Sequence, residues 1–350
     1  MTTEPRHFTE RVFYVTGLSL LLLLTALLLW FALYVFLLAF SGILLAIFLR
    51  SLSDALSEHT PLSEGMALTL VLLGLVSAML VGGWLLAPGV AEQVDAMQKQ
   101  LPQALAQLRQ RVEDYGWARK LLAQLPEASE LMPDNATALA GVTGAFSTTF
   151  SAVANFFIFL FIGLYLAAEP RLYRNGLIRL IPLNGRNRAR EVVDAVGDTL
   201  RWWLIGKVVS MAVVGVATVA GLWLLDIPLA LTLGLLAALL TFIPNVGPIL
   251  SLLPAVLLAF LISPMHAVYV TVLYVGIQLV ESYFFTPLLQ KRTISLPPAL
   301  TIFAQVIFGV TVGSLGFVLA APLAAALMVL VNKLYIEDTL HDQLQADAVK

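Results

Sequence analysis

The sequence predicts an all-α fold: a polytopic membrane protein with about eight hydrophobic segments, two of them re-entrant hairpins in an inverted repeat. Three observations carry this reading. The residues A, V, I, L, M, F, W, Y and C fill 59% of 350 positions while D, E, K and R fill only 12%, far from the balance of water-soluble domains. The charges are also segregated, because Val12–Leu49, Met66–Ala91, Asn135–Ala168, Val208–Leu225 and Thr293–Asn332 contain no Asp, Glu, Lys or Arg. Each is near or beyond the ~20 apolar residues that cross a ~30 Å hydrocarbon core. Finally, two apolar stretches in the C-terminal half are each interrupted by helix-breaking residues at corresponding places.

The first stretch, Val12–Leu49, runs for 38 residues, too long for the apolar core of a cleaved signal peptide. It is expected to form two helices turning near Phe31–Tyr34 and, with the span from Met66, an N-terminal transmembrane unit over 1–88. Residues 89–140 follow as an extracytoplasmic amphipathic segment, in which Val90, Val94, Met97, Leu101, Leu105, Leu108, Val112 and Tyr115 recur every three or four residues, the period of one helix face. Pro102 kinks this helix or starts a second one, since proline removes a backbone donor and crowds the preceding turn. The apolar face either packs onto the protein's own membrane domain or meets another subunit, for which near-heptad spacing is suited. A transmembrane helix over 141–168 ends at Glu169 and Pro170, and 169–202 is cytoplasmic and interfacial. There Val192, Val193, Val196, Leu200 and Trp203 share a face opposite Arg190, Asp194 and Asp198. That helix should lie along the membrane surface before entering, with Trp202 and Trp203 at the interface. Residues 203–334 hold two span-plus-hairpin units, and 335–350 form a tail.

Fifteen of the twenty basic residues lie at the two ends, around Arg50, between Arg171 and Lys207, and at Lys291 and Arg292. The other five, Lys99, Arg109, Arg111, Arg119 and Lys120, share the segment Glu92–Asp134 with seven acidic residues. Cytoplasmic loops carry the excess of Lys and Arg, and a long segment translocates despite its charges. Both termini are therefore expected in the cytoplasm and Glu92–Asp134 outside.

Ile227–Ile262 is apolar throughout, but Ile243, Pro244, Asn245, Val246, Gly247 and Pro248 divide it into halves of about 16 and 15 residues. At 1.5 Å per residue each half is only ~24 Å long, short of a comfortable span. The break frees backbone amides and carbonyls, which hydrocarbon tolerates only inside protein or against a water-filled cavity. A hairpin entering from outside with its tip near the midplane satisfies both constraints. In Ala299–Asn332 the interruption is Gly309, Gly313, Ser314, Leu315 and Gly316, with Pro322 in the returning arm. That hairpin should enter from the cytoplasm and face the first. Each follows an ordinary span, Trp203–Leu225 and His266–Phe285, and inverted units with broken helices point to a midplane substrate site. A rival topology makes each hairpin two full spans. Gly309 and Gly313 also fit a GxxxG spacing that only lets helices approach closely.

Glu281 is the carboxylate deepest in a span, with Gln278 one turn before it on the same face. Intramembrane ionisable groups are costly and mark function by default, although Arg201, Lys207 or the nearby Lys291 and Arg292 could make Glu281 a satisfied structural acid. Asn245, Gln305 and Thr241 are weaker candidates, because buried amides commonly bond a neighbouring helix. The expected tips are Pro244, Gly247 and Pro248 in the first hairpin, and Gly313, Ser314 and Gly316 in the second. Asp226 and Glu169 mark helix ends. His7, His59, His266 and His341 are scattered, so no metal site is expected. The chain has no Cys, and no cofactor, catalytic residue or nucleic-acid surface is expected. It lacks a Walker A run, HExxH and GxSxG, so neither enzyme chemistry nor ATP bound to this chain is indicated.

The C-terminal half resembles the autoinducer-2 exporter family of bacterial membrane permeases. The resemblance runs through Gly206 and Lys207, then Phe242–Pro248, then Gln278, Glu281 and Pro287, and continues through Pro297 or Pro298, Gly313, Gly316, Phe317 and Pro322, covering about Arg190–Val331. It implies a multi-pass protein of the bacterial inner (cell) membrane, in contact with the lipid bilayer, with about eight hydrophobic segments and often a homo-oligomer. Members are linked to export of the furanone-type signal autoinducer-2, used in quorum sensing, and some relatives to sodium or lithium exchange for protons. A single intramembrane acid places export of a small polar molecule first and cation/proton antiport second. A membrane scaffold working through the outer segment is the third reading.

Overall fold

A computed structural model describes residues 4–112, 138–285 and 296–340. Tyr115, the rest of the outer segment to Asp134, Pro287, Lys291, Arg292 and His341 lie outside the described residues. The chain is an all-α polytopic membrane protein. Its helices are α1 (Glu4–His59), α2 (Glu64–Val112), α3 (Ala138–Ala168), α4 (Pro170–Arg179), α5 (Arg186–Leu224), α6 (Ala230–Leu240), α7 (Val246–Ile262), α8 (Pro264–Val280), α9 (Pro298–Val312) and α10 (Ser314–Leu330). Short π-helical turns, Glu281–Phe285 and Val331–Glu337, extend α8 and α10.

Among the described residues five helices are long and apolar enough to cross a membrane, or six with the bent pair α3–α4 counted as one span. The eight hydrophobic segments expected include two hairpins, whose short apolar arms α6, α7 and α9 stand outside this count, and α1 supplies one segment where two were expected. No turn forms near Phe31–Tyr34, and α1 is continuous for 56 residues. From Leu18 to Ser41 there is neither Pro nor Gly, so nothing interrupts the hydrogen-bond ladder. Likewise α5 runs for 39 residues without a break at Trp202 and Trp203. The expected change of direction there has no helix break to make it. The sharp turn falls earlier, where α3 meets α4 at 89° across Glu169 and Pro170.

Arg50 fastens that corner. Its Nε donates to the Ala167 carbonyl at 2.6 Å and its Nη2 to the Ala168 carbonyl at 3.2 Å, satisfying carbonyls that the end of α3 leaves unpaired. Nη1 reaches Glu64 at 3.3 Å, and Arg171 pairs with the same carboxylate at 3.0 Å. Higher on the pair, Asn155 donates to the Tyr34 hydroxyl at 2.8 Å and ties α3 to α1.

Helix α2 continues through Pro88 and Pro102, so no second helix starts at Pro102. The start of its polar extension touches the protein's own membrane helices at Gln93 and Met97. Met97 lies against a core of Leu222, Leu233, Ala237, Leu258 and Val270. The Gln93 Oε1 accepts from the Thr232 backbone N–H at 3.1 Å and its hydroxyl at 2.9 Å. Helix α6 starts after Leu229, at φ 65°, with no cap from its own flank, so a distant helix supplies the missing acceptor.

Helices α9 and α10 pair antiparallel across a single residue. Gly313 has φ 79° and ψ −151°, a region open essentially to glycine. Below it Gly316 faces the Phe308 carbonyl, Gly309 faces Phe317, and Ala304 packs with Ala320 and Ala324. Gly309 is thus a packing glycine and Gly313 the turn. The outside of the molecule is strongly apolar: Trp84, Val216 and Val310 are 78%, 71% and 79% exposed, as suits a surface solvated by lipid.

Candidate functional site

The first hairpin breaks over Thr241–Asn245 rather than Ile243–Pro248. Gly247 and Pro248 already belong to the first turn of α7. Gly247 must be glycine, because a Cβ there would collide with the Leu240 carbonyl, so the end of α6 and the start of α7 approach with no side chain between them. At the turn itself the Val246 N–H bonds the Pro244 carbonyl at 2.8 Å, with Asn245 between them at φ 65°, ψ −44°. This is a γ-turn of positive φ, a strained conformation for a residue with a Cβ. Trp203 of α5 meets Phe242 edge-on at 5.7 Å and braces the turn, while the Thr241 hydroxyl bonds back to the Ala237 carbonyl at 2.7 Å.

Beside this turn lies a cavity of about 370 Å³, between α5, α8 and the first hairpin. Trp202, Trp203, Lys207 and Ser210 of α5, Pro244 and Asn245 of the turn, and Gln278 and Glu281 of α8 contribute to its wall. Glu281 stands where α8 passes from α- to π-helical winding, an irregularity common at functional positions. Its carboxylate accepts a hydrogen bond from the Ser210 hydroxyl. Glu281 and Ser210 also border a second cavity of about 370 Å³, lined otherwise by apolar residues such as Val213, Val272 and Ile277. A carboxyl group, a lysine amine, two amides and hydroxyls converge on one space, an arrangement able to hold a small polar solute or a cation.

Of the residues singled out in the sequence, Glu281, Gln278, Asn245, Pro244, Pro248 and Thr241 line this cavity. Gln305 sits just behind the turn, buried, and donates to the Pro244 carbonyl. The second tip is elsewhere. Gly313, Ser314 and Gly316 are not among the lining residues, and their neighbours Phe308, Val312 and Leu315 pack around Leu37, Phe40 and Leu44 of α1. The second hairpin reaches the cavity instead through Pro298 and Thr301 of α9 and Ala321 of α10. Arg201 does not line this cavity and lies 3.9 Å from Asp54. Ser210, Trp202 and Thr301 went unnoticed as site residues. The signal for Ser210 was present: Trp203, Lys207 and Ser210 fall three or four apart, a polar row on one face of an apolar span.

The profile described as AI-2E family transporter matches residues 18–336. The candidate transport protein YueF of Bacillus subtilis (strain 168) is 25% identical over 255 residues, 72% of this chain and 68% of YueF. The AI-2 transport protein TqsA of Escherichia coli (strain K12) is 24% identical over 215 residues, 60% of this chain and 59% of TqsA. A second Bacillus subtilis candidate transport protein, YrrI, is 28% identical over 174 residues, 49% of this chain and 48% of YrrI. The chain thus spans about half to two thirds of these relatives. With the family profile covering most of its length, the chain belongs to the AI-2E family of transporters, multi-pass membrane proteins of bacteria.

Proposed function

We propose that this chain exports a small polar molecule through the cavity beside Pro244 and Asn245, with residues 203–334 as the transport core. The observation that carries the proposal is the convergence of a broken helix, Glu281, Lys207 and Gln278 on one space of about 370 Å³. Asn245 and the opened backbone bind the solute, and Glu281 couples or gates its passage. The arms α6, α7 and α9 have 11, 17 and 15 residues, each below the ~20 that span the hydrocarbon. The shortness of both arms of the first hairpin supports a turn back within the membrane, whereas α10 with its π-helical turn is long enough to cross, and the distribution of basic residues supports cytoplasmic termini. An autoinducer-2-like signal is the first solute to test, because TqsA is named an AI-2 transport protein. The Glu281 carboxylate favours a second reading, sodium or lithium exchange for protons, which differs by a cation-dependent pH change in vesicles.

Reconstituted liposomes provide the test. Glu281→Gln and Asn245→Ala should each lower efflux of the solute roughly tenfold or more, the effect of losing about 1.4 kcal/mol at a binding or barrier step. Efflux equal to that of the unaltered protein in both variants refutes the proposal.

A further inference from the structure

Gln305 is 1% exposed in the middle of α9, an arm without a charged residue. Its Nε2 donates to the Pro244 carbonyl at 3.0 Å, across 61 residues of sequence. That carbonyl also closes the γ-turn, accepting from the Val246 N–H at 2.8 Å. The turn places Asn245 at φ 65°, which persists only where surrounding contacts over-determine it. Gln305 adds such a contact from the other hairpin. The amide has a drawback, since its Oε1 is buried with no hydrogen-bond partner. If filling space were its whole task, a Leu of similar size would leave no orphaned oxygen, so the donor is what the position uses.

We propose that Gln305 is a latch: it holds the tip of the first hairpin in its strained turn, with Asn245 on the cavity wall, and letting go allows the tip to relax and the wall to change shape. Gln305 is then a positioning residue that acts through Pro244 rather than a solute ligand, and α9 is the element through which the second hairpin governs the first. The importance of the latch for transport rests on the export reading above; its effect on the tip does not.

A reporter cysteine tests the latch without any solute. The chain has no Cys, so Ile243→Cys, on the cavity wall, reports alone through its rate of labelling by a water-soluble maleimide in liposomes. In that background Gln305→Leu should raise the rate about fivefold, the population change set by one net hydrogen bond of ordinary strength. Gln305→Glu adds a readout that loss of packing would not move. A protonated carboxyl donates to the Pro244 carbonyl and an ionised one cannot, so the rate, divided by that of Ile243→Cys with Gln305 intact, should be near one at low pH and climb as pH rises. An unchanged rate in Gln305→Leu, or a flat normalised profile in Gln305→Glu, overturns the latch. Should Gln305→Leu fail to reach the membrane, the Gln305→Glu titration decides alone. Faster labelling in variants whose efflux matches the parent leaves the latch standing and removes its link to export.

Discussion

At Gly247 the chain has no room for a methyl group, because the Leu240 carbonyl occupies the place a Cβ would take. Gly247→Ala should therefore force the start of α7 away from the end of α6, costing about 2–3 kcal/mol as overpacking does. Gly276 in α8 makes the contrast, since nothing lies within 4 Å of its Cβ position. Gly276→Ala should be neutral or stabilising by up to ~1 kcal/mol, the propensity difference between the two residues. Thermal unfolding of the two variants in detergent checks both, and equal melting temperatures would contradict the close approach at the turn. At this scale the sequence was informative where chemistry was expensive. Glu281, Asn245 and Gln278 stood out as polar groups in apolar runs, and they share one cavity. Ser210 did not stand out, because a hydroxyl in a helix commonly satisfies itself on the preceding turn and only the packing of α8 brings Glu281 to it. The Thr301 hydroxyl does bond back, to the Pro297 carbonyl, and so gives no signal in the sequence.

Among the elements, α6 depends most visibly on another part of the chain. Its first turn is held by the Gln93 side chain of α2, which accepts two hydrogen bonds from Thr232. Gln93→Ala removes both and should cost about 1–2 kcal/mol, the range for loss of a helix cap. Amide hydrogen exchange should quicken at 230–234 and stay unchanged in α10; uniform exchange across the two would contradict the capping role. The contact was not legible in the sequence, where Gln93 is one polar residue in an amphipathic segment and Thr232 one hydroxyl in an apolar run. The breaks themselves were legible, because proline and glycine leave few alternatives, yet their extent was overestimated. One residue, Gly313, turns the second hairpin, and its neighbouring glycines serve close packing. The turn expected in α1 failed for a related reason: apolar length suggested two segments, but no residue there breaks a helix.

For the whole molecule, the corner between α3 and α4 links the N-terminal helices to the core, and Arg50 secures it through two carbonyls of α3 and Glu64 of α2. Arg50→Met keeps the apolar stem and removes the donors, leaving the α3 carbonyls unpaired. It should lower stability by about 2–3 kcal/mol, seen as a lower melting temperature, while solute efflux from the folded fraction stays intact. Composition and charge segregation made the membrane class legible, since no other solvent accommodates such a surface. The meeting of α5, α8 and the first hairpin around one cavity was not, because nothing local to a span says which helix it will face. Labelling of Asn245→Cys by a membrane-impermeant maleimide is the most direct test of that cavity, with Val216→Cys on the outer surface as reference, 71% exposed yet facing lipid on this account. Position 245 should react readily and position 216 should not; an Asn245→Cys protein as unreactive as Val216→Cys would mean that no water reaches the broken turn and that no solute path runs beside it.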